Sequence, residues 1–396
     1  MRILMMIPEL TTGGAQRSFS QLANDLSVDH EISIVVFNRQ SNVQYPINGN
    51  ILSLDVIPGN GWLQKMYAFY LRVVRLKKIK RTIKPAVSIS FLEGADYVNI
   101  LSSEADRPII SIRGPKGGDM EIRGALGWIR KKILIPFLYR RAYKVIAVSS
   151  SIGRELVESF GLSAERVKVI GNYYDLVALR QQSEQDLPAR YNSWLTGTVL
   201  VNVGRLHKGK NHSLLINTFA RLLQTRDCKL VIVGDGPMRK ELIDIARTNK
   251  LRVYSHWDDE FGNDYDIYFV GEQKNPLPFI RRTSLFVFTS SYEGFPNVLI
   301  EAMVCGTPIL SSQCEGCAEV LSTTNELLQP GLIKAFAGII VVDAPEEQVV
   351  DSWVTGIMRY LDSHELRDHY KKNGFLRVER YEKSKVLAEW IEQIQP

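Results

Sequence analysis

Residues 293–301 read Glu-Gly-Phe-Pro-Asn-Val-Leu-Ile-Glu, so two carboxylates stand eight residues apart across a change in pattern. The stretch at 284–290 before them reads Ser-Leu-Phe-Val-Phe-Thr-Ser and is typical of a buried strand. Pro296 suits the first turn of a helix, where its missing N–H costs nothing. We therefore expect Glu293 in a strand-to-helix turn and Glu301 more than one turn inside the helix.

This arrangement has a specific chemistry. Carboxylates accept hydrogen bonds from sugar hydroxyls, and the free N–H groups of a helix N-terminus attract phosphate. At the carboxyl end of a parallel strand, both would meet one ligand, and a sugar attached to a nucleoside diphosphate fits. The alternative is a capping carboxylate followed by a helix-surface glutamate. The predicted ligand contacts here are Glu293, Gly294, Phe295, Pro296, Asn297 and Glu301.

Two earlier stretches repeat the strand–loop–helix pattern. The apolar run 199–203 ends at Gly204, and Arg205, Lys208 and Lys210 follow within six residues. Cations just past a parallel strand can neutralise a diphosphate, and arginine can grip it in a fork. Residues 229–237 read Lys-Leu-Val-Ile-Val-Gly-Asp-Gly-Pro and predict a strand, a tight turn and a helix from about Met238.

Together these stretches resemble the carboxyl-terminal domain of glycosyltransferase family 4, the retaining GT-B enzymes. The amino terminus is also similar to that family, with a first strand at 1–8 and a glycine-rich loop at 12–17 that opens the first helix. The resemblance covers nearly the whole chain. It rests on Val203-Gly-Arg-Leu with Lys210, Gly234-Asp-Gly-Pro, Phe269-Val-Gly, residues 293–303 and Gly306-Thr-Pro.

The resemblance implies an α/β protein of the GT-B fold, in which two doubly wound Rossmann-like domains face a central cleft. It implies that Glu301 binds the nucleotide ribose and Glu293 the donor sugar, while Arg205 and Lys210 hold the diphosphate. The backbone near Val270 would meet the base. Gly13, Gly14 and Gly204 complete the implied donor contacts, and the catalytic candidates are Arg205, Lys210 and Glu293.

One feature departs from the family. Many members carry a histidine beside the donor sugar in the amino-terminal domain, but this chain has none between His30 and His207. Glu93, in Phe-Leu-Glu-Gly, and Arg113, in Ser-Ile-Arg-Gly, are the candidate substitutes, and a solvated loop arginine is the alternative for Arg113. Members with Phe-Leu-Glu at this place resemble bacterial transferases of N-acetylhexosamines or galactose that build surface glycans, which is an argument by analogy.

Length predicts two domains, since single cores stop growing near about 250–300 residues. We place an acceptor domain at 1–172, a nucleotide-sugar domain at 173–377 and a final helix at 378–396 that returns to the first domain. Alternation of strands and helices predicts parallel sheets. The predicted strands lie near 2–7, 31–37, 86–91, 108–112, 143–148, 198–203, 229–234, 266–270, 285–289, 307–311 and 338–342.

We expect no bound metal ion and no cofactor, although one pair of cysteines and one Asp-x-Asp motif resemble metal-binding patterns. Cys314 and Cys317 have zinc-like spacing, but Cys228 and Cys305 do not form a second pair. Asp264-Tyr-Asp266 is a literal Asp-x-Asp, but it precedes a predicted strand instead of ending one, within a stretch at 254–266 that looks like an inserted loop. Four cysteines suit a reducing cytoplasm, and no signal peptide or run of about 18 apolar residues is visible.

The positive charge is concentrated in two helix-like segments. Residues 61–84 hold eight basic residues and no acid, and residues 121–144 hold seven basic residues and Glu121. The two segments contribute +14 although the whole chain carries +6, so the remainder is −8. Both also carry aromatics, which suits an anionic lipid surface. Solvated helices and a nucleic-acid surface are the alternatives, but no nucleic-acid-binding motif accompanies the charge.

These observations predict a metal-independent, retaining hexosyltransferase on the inner face of the cell membrane. The donor would be a nucleotide-diphosphate sugar, with UDP favoured, and the acceptor a lipid-linked glycan or a surface polysaccharide such as lipopolysaccharide, O-antigen or capsule. The rival hypotheses are a GT-B-fold sugar-nucleotide epimerase, a non-catalytic membrane-bound scaffold and a soluble sucrose- or glycogen-type synthase. The sequence itself does not identify the nucleotide base, the donor sugar or the linkage.

Overall fold

The computed structural model describes residues 1–11, 13–38, 45–117, 124–258, 262, 264–342 and 346–395. The chain divides into two compact units, one formed by 1–173 with 384–396 and the other by 174–383. The division between Tyr173 and Tyr174 lies one residue from the domain boundary expected after residue 172. The prediction of doubly wound α/β architecture is confirmed for both units.

The first unit is built on a seven-stranded sheet in the order β3-β2-β1-β4-β5-β6-β7, and every neighbouring pair is parallel. The strand order reverses between β1 and β4. The strands are β1 Arg2–Met6, β2 Glu31–Val36, β3 Asn50–Ser53, β4 Val87–Phe91, β5 Arg107–Ile112, β6 Lys144–Ala147 and β7 Val167–Val169. The helices are α1 Gly14–Leu26, α2 Trp62–Ile83, α3 Glu93–Leu101, α4 Gly124–Ile129, α5 Ile135–Tyr139 and α6 Ser150–Glu158, with a π-helical turn at Arg130–Leu134.

The second unit has a nine-stranded sheet in the order β10-β11-β9-β8-β12-β13-β16-β15-β14. All pairs are parallel except those that β15 makes with β14 and β16. The strands are β8 Val199–Val203, β9 Lys229–Val233, β10 Val253–Ser255, β11 Ile267–Phe269, β12 Leu285–Phe288, β13 Ile309–Ser312, β14 Thr323–Gln329, β15 Leu332–Ala335 and β16 Gly338–Val341. The helices are α7 Leu176–Glu184, α8 Ala189–Asn192, α9 His212–Leu222, α10 Arg239–Thr248, α11 Leu277–Arg281, α12 Asn297–Cys305, α13 Glu315–Leu321, α14 Glu346–Asp362 and α15 His364–Val378.

The final helix, α16, runs from Lys383 to Ile394, so the helix predicted from 378 is wrong at its start. A short 3₁₀ turn at Glu379–Tyr381 separates it from α15. In α16, Val386, Trp390 and Ile394 lie on one face at intervals of four residues and are buried in the core of the first unit. Trp390 stacks on Phe91 with ring centroids 6.2 Å apart, which anchors the end of the chain to the sheet.

One basic side chain of helix α2, that of Lys80, is buried and holds the helix in place. Lys80 is 2% exposed, and its ammonium group donates to Asp106, Ser88 and both the carbonyl and side-chain oxygens of Asn99. Burial opposes charge at both partners, but the charge of Lys80 and its hydrogen bond keep the pKa of Asp106 below its usual range. Lys80 is therefore a buried structural charge, and it belongs neither to a solvated face of this helix nor to a surface that could meet lipid.

Other basic residues of α2 also have structural partners. Arg75 donates to the carbonyls of Leu54 and Asp55, and Lys77 and Arg81 both pair with Glu104. The amino-terminal half of α2, by contrast, is exposed over residues 62–67. No helix among the residues described is long and apolar enough to cross a bilayer.

Candidate active site

The second unit places two loops side by side where its strand order reverses. Strands β8 and β12 are neighbours, and the chain continues to opposite sides of the sheet from them. A crevice outside the carboxyl ends of the strands at such a switch point is where open α/β sheets bind ligands. The loop after β8 carries Arg205 and Lys210, and the loop after β12 carries Glu293. The predicted diphosphate and sugar contacts therefore flank one crevice of the sheet.

Backbone and side-chain hydrogen bonds join these two loops. The amide of Ser291 donates to the carbonyl of Gly209 at 2.9 Å, and the hydroxyl of Thr289 donates to the carbonyl of Lys210 at 3.0 Å. Lys210 ends a short 3₁₀ turn at Lys208–Lys210, directly before α9. The position of Lys210 is thus set by the neighbouring strand end as well as by its own turn.

Lys210 and Glu293 form an ion pair, with 2.5 Å between Nζ and Oε1. Their side chains are 27% and 17% exposed, so the pair faces solvent in part. A lysine ammonium has three donors, and the one hydrogen bond described for Nζ leaves donors for a ligand. Arg205, five residues before the turn ends, is exposed, and its side chain has no ion pair or hydrogen bond within the described ranges. Both cations are therefore placed to receive an anion.

Glu301 lies in the second turn of α12 and is 7% exposed. The helix begins at Asn297, so Pro296 is its N-cap residue and not its first residue. Asn297 accepts a hydrogen bond from the hydroxyl of Tyr174 at 2.6 Å, and Phe295 packs edge-on against Tyr381. These contacts fix the loop between β12 and α12, with Gly294 between Glu293 and Phe295.

Glycines let the neighbouring loops approach closely. Gly234 has φ of +142°, and a Cβ there would lie 2.0 Å from the carbonyl oxygen of Gly204. The amide of Gly234 donates to the carbonyl of Gly271, which follows Val270 at the end of β11. Val270 itself is fully buried, and its carbonyl accepts from the side chain of Gln273. The loops after β8, β9 and β11 thus form one connected edge of the sheet.

In the first unit, the glycine-rich loop precedes α1: Gly13 is its N-cap residue and Gly14 its first residue, while Thr12 lies outside the described residues. Arg113 follows β5 and is not a free loop arginine. Its guanidinium donates to Asn172 and to Ser111, and lies 5.0 Å from the ring centroid of Phe91.

Glu93 is the first residue of α3, next to the strand-order reversal of the first sheet. Its carboxylate accepts from the guanidinium of Arg130 through both oxygens, from Lys116 at 3.1 Å and from the hydroxyl of Tyr97 at 2.6 Å. Burial alone would raise the pKa of Glu93, but Arg130, Lys116 and Tyr97 together hold it at about 2. The carboxylate of Glu93 therefore has three protein partners, whereas that of Glu293 has one, Lys210, among the described residues.

The two motifs weighed as metal sites have other partners. Cys314 and Cys317 form a disulfide at the start of α13, which the sequence analysis did not predict. Asp264 and Asp266 both pair with Arg252, and part of the stretch predicted as an inserted loop is strand β10. Within the described ranges, no three His, Cys, Asp or Glu side chains are grouped in a way that could hold a metal ion.

The sequence analysis missed two buried polar residues behind the Lys210 turn. Asn202 interrupts the apolar strand β8, and its side-chain oxygen lies 3.0 Å from Nε2 of His212. The signal available in the sequence was Asn202 itself, a polar residue within an apolar strand, because a buried polar group must find a partner inside the protein.

Comparisons with known proteins agree with this geometry. Residues 12–177 match the Glycosyltransferase Family 4 model, and residues 197–342 match the model for Glycosyl transferases group 1. Two Campylobacter jejuni proteins are similar over nearly their whole length. The N-acetylgalactosamine-N,N'-diacetylbacillosaminyl-diphospho-undecaprenol 4-alpha-N-acetylgalactosaminyltransferase is 25% identical over 98% of each chain. The GalNAc-alpha-(1->4)-GalNAc-alpha-(1->3)-diNAcBac-PP-undecaprenol alpha-1,4-N-acetyl-D-galactosaminyltransferase is 24% identical over 100% of this chain and 98% of its own.

Among solved structures, Anabaena HepE in complex with UDP superposes with a TM-score of 0.74 at 16% identity, covering 100% of this chain and 99% of HepE. That likeness bears on the fold, and the prediction of a GT-B fold is confirmed. The two family models cover most of both units, and the switch-point loops carry the residues that the family resemblance singled out. This chain is therefore a glycosyltransferase of the GT-B fold and belongs to glycosyltransferase family 4, with a group 1 glycosyl transferase domain as its second half.

Proposed function

We propose that this enzyme is a retaining transferase that moves a hexose or N-acetylhexosamine from a UDP-linked donor to a lipid-linked or surface-polysaccharide acceptor. The observation that carries the proposal is the partly exposed Lys210–Glu293 pair at the switch point of the second sheet. The printed names of the two Campylobacter relatives support the sugar and acceptor classes, since both transfer N-acetylgalactosamine to undecaprenol-diphosphate-linked glycans. The UDP bound to HepE supports the nucleotide.

The residues that bind the sugar-nucleotide donor have different roles according to their charge. Arg205 and Lys210 hold the diphosphate and stabilise the negative charge that grows on it as the anomeric C–O bond breaks, the electrostatic effect that usually contributes most to catalysis. Glu293 accepts hydrogen bonds from the sugar and also keeps Lys210 in place. Glu301 accepts from the ribose hydroxyls, and the backbone around Val270 meets the base.

In the proposed reaction, the acceptor hydroxyl attacks the anomeric carbon from the side that the diphosphate leaves. Its proton passes to the departing phosphate oxygen, so the products are the glycosylated acceptor and the nucleoside diphosphate. The configuration at the anomeric carbon is retained. Because Arg205 and Lys210 supply the positive charge, we propose that no divalent cation is needed.

A product assay tests this proposal. The enzyme is incubated with a panel of UDP-, GDP- and TDP-sugars and an undecaprenyl-diphosphate-linked glycan, with and without EDTA. We expect a mass increase of one hexose or N-acetylhexosamine with a UDP-sugar, an α-linkage from an α-donor by NMR, and equal activity in EDTA. Conversion of the UDP-sugar to an epimer without acceptor would instead establish the epimerase, and loss of activity in EDTA that Mg²⁺ restores would contradict the metal-free mechanism.

We further propose that the first unit binds the anionic inner face of the cell membrane through 61–84 and 121–144. Both segments expose large apolar side chains beside basic ones, which is the composition that interfacial helices use. Exposed fractions of these side chains run from 53% to 69%. The exposed apolar side chains are Trp62, Leu63, Met66, Tyr67 and Tyr70 in the first segment and Trp128, Ile133 and Phe137 in the second. Glu121 and Arg123 lie outside the described residues.

The membrane proposal is tested with four exposed lysines whose side chains have no hydrogen bond or ion pair among the described residues: Lys65, Lys78, Lys84 and Lys132. Each basic residue near an anionic surface is worth about 1 kcal/mol, so changing all four to Gln should weaken binding to phosphatidylglycerol vesicles at least about tenfold. The matched control changes Lys240, Lys250, Lys371 and Lys372 of the second unit and should leave binding unchanged. Wild type that fails to sediment with these vesicles at low salt would overturn the proposal.

A further inference from the structure

A chain of buried hydrogen bonds runs from β12 through β8 to the start of α9. The side-chain amide of Asn202 donates to the carbonyl of Val287 at 2.7 Å, and its oxygen lies 3.0 Å from Nε2 of His212. Asn202 is 3% and His212 2% exposed. The three residues therefore connect the two strands at the switch point to the helix that follows the Lys210 turn.

The chain of bonds fixes the form of the imidazole. The nitrogen of Asn202 is engaged as a donor, so its oxygen must accept, and Nε2 of His212 must carry the proton. Nδ1 is then an unprotonated acceptor, and it has no hydrogen-bond partner among the described residues. Burial and the charge of Lys210 lower the pKa of His212 to about 4. At pH 7 only about one molecule in a thousand would carry an imidazolium.

His212 lies two residues after Lys210, with Asn211 between them in the left-handed region at φ of +50°. Asparagine adopts that conformation more readily than other non-glycine residues, and here it turns the chain from the 3₁₀ turn into α9. The bonds from Thr289 to the Lys210 carbonyl and from Ser291 to the Gly209 carbonyl hold one end of the turn. The His212–Asn202 bond holds the other end, so the turn is fixed on both sides of Lys210.

We propose that His212 is a positioning residue that acts through Lys210, holding the diphosphate-binding turn with an uncharged hydrogen bond to Asn202. This inference rests on the proposed role of Lys210 at the donor diphosphate. A neutral donor suits this place, because an imidazolium beside Lys210 would repel it and compete for the same anion. His212 does not touch substrate, and its effect reaches the reaction only through the position of the lysine.

A double-mutant cycle separates this role from that of an ordinary core histidine. Turnover and donor KM are measured for wild type, His212→Leu, Lys210→Ala and the double variant, with UDP-N-acetylgalactosamine or the donor that the sugar-nucleotide panel identifies. We expect His212→Leu to lower kcat about tenfold with donor KM within about threefold. In the Lys210→Ala background the same change should have no further effect on kcat, because residues that act as a unit are not additive. Equal and additive losses in both backgrounds would overturn the inference.

Two conservative variants keep the test informative if His212→Leu fails to fold. Glutamine can place an N–H where Nε2 of the imidazole lies, whereas asparagine is too short to reach Asn202. We expect His212→Gln to keep kcat within about threefold of wild type and His212→Asn to lose about tenfold, at similar melting temperatures. Equal activity of the two variants would contradict the inference. Unchanged turnover of Lys210→Ala would instead refute the proposed role of the lysine on which the inference depends.

Discussion

Two lysine–carboxylate pairs in this enzyme have similar lengths but different surroundings. Lys80 and Asp106 lie 2.7 Å apart with both side chains 1% exposed, and Lys210 and Glu293 lie 2.5 Å apart with side chains 27% and 17% exposed. The three N–H groups of the Lys80 ammonium face four protein oxygens within hydrogen-bond distance, so every donor has a protein acceptor. Among the described residues, the ammonium of Lys210 has one hydrogen-bond partner, Glu293, and the ring centroid of Phe288 lies 5.4 Å away.

The difference shows how to separate structural from functional charge. Taking an ion pair out of water is costly, so a buried pair persists only when its remaining donors and acceptors are satisfied. Lys80–Asp106 meets that condition and has no capacity left for a ligand. Lys210–Glu293 keeps open donors at a switch-point crevice, so we assign the first pair to stability and the second to chemistry.

We expect the largest effect on stability at the buried Lys80–Asp106 pair, which we call the closed pair because all its donors have protein partners. Lys80→Met leaves the carboxylate of Asp106 buried without its countercharge, which costs about 3–5 kcal/mol. Urea unfolding followed by circular dichroism measures this difference. Lys78→Met, two residues earlier on the exposed side of the same helix, is the control and should stay within about 0.5 kcal/mol of wild type. A Lys80 variant as stable as the Lys78 variant would remove the distinction between the two pairs.

A second effect on stability is expected at Glu93, because both oxygens of its carboxylate also accept hydrogen bonds from protein groups. Its pKa of about 2 lies below the ordinary value of 4.5. The ionised form therefore stabilises the folded state above about pH 4.5, and this contribution is lost as pH falls towards 2. Glu93→Gln should lower the free energy of unfolding by about 3 kcal/mol at pH 7, and its deficit should shrink below pH 4.5 in urea titrations at several pH values.

Glu104 supplies the control for Glu93. Its pKa is also lowered to about 2, by hydrogen bonds from Arg81 and Lys77, but it lies at the surface. Solvent and salt screen such pairs, so Glu104→Gln should have a smaller effect that disappears in 0.5 M salt. A Glu93 deficit that salt abolishes in the same way would show that the Glu93 cluster is not closed.

A smaller effect is expected for nucleotide binding at Glu301. A carboxylate that accepts ribose hydroxyls makes charge-assisted hydrogen bonds worth about 1.5–3 kcal/mol each. Glu301→Ala should therefore raise the dissociation constant of UDP at least about tenfold in calorimetry, while Glu241→Ala on the exposed side of α10 should leave it unchanged. Unaltered UDP affinity of the Glu301 variant would exclude the ribose role.

The sequence was sufficient for the parts of the fold that periodicity encodes. Every predicted strand corresponds to an observed one within two residues, because continuous apolar runs such as 285–288 are buried on both faces of a parallel sheet. The strands that were missed, β3, β7, β10, β14 and β15, are short, lie at or near sheet edges, or pair in an antiparallel hairpin. Their local pattern does not distinguish them from loops.

The candidate site was predictable where chemistry follows a strand end and not where it depends on tertiary partners. Lys210 and Glu293 stand in loops that the pattern placed at the ends of β8 and β12, and the structure joins them. Lys80 looked like one more charge in a basic helix, because Asp106, its partner, lies 26 residues away in the loop before β5. His212 looked like an isolated histidine, because its bond to Asn202 forms only when β8 and α9 pack together.

If the Lys210–Glu293 pair carries the chemistry, changing two neighbouring lysines should separate turnover from stability. Lys210→Met and Lys208→Met change lysines in the same turn, and the side chain of Lys208 has no hydrogen bond or ion pair among the described residues. For Lys210→Met we predict a loss of kcat of about 10²–10³-fold, the cost of removing one preorganised charge stabiliser. Its free energy of unfolding should stay within about 1 kcal/mol of wild type, and Lys208→Met should match wild type in both. A Lys210 variant that keeps its turnover, or that loses it only because it unfolds, would contradict the account.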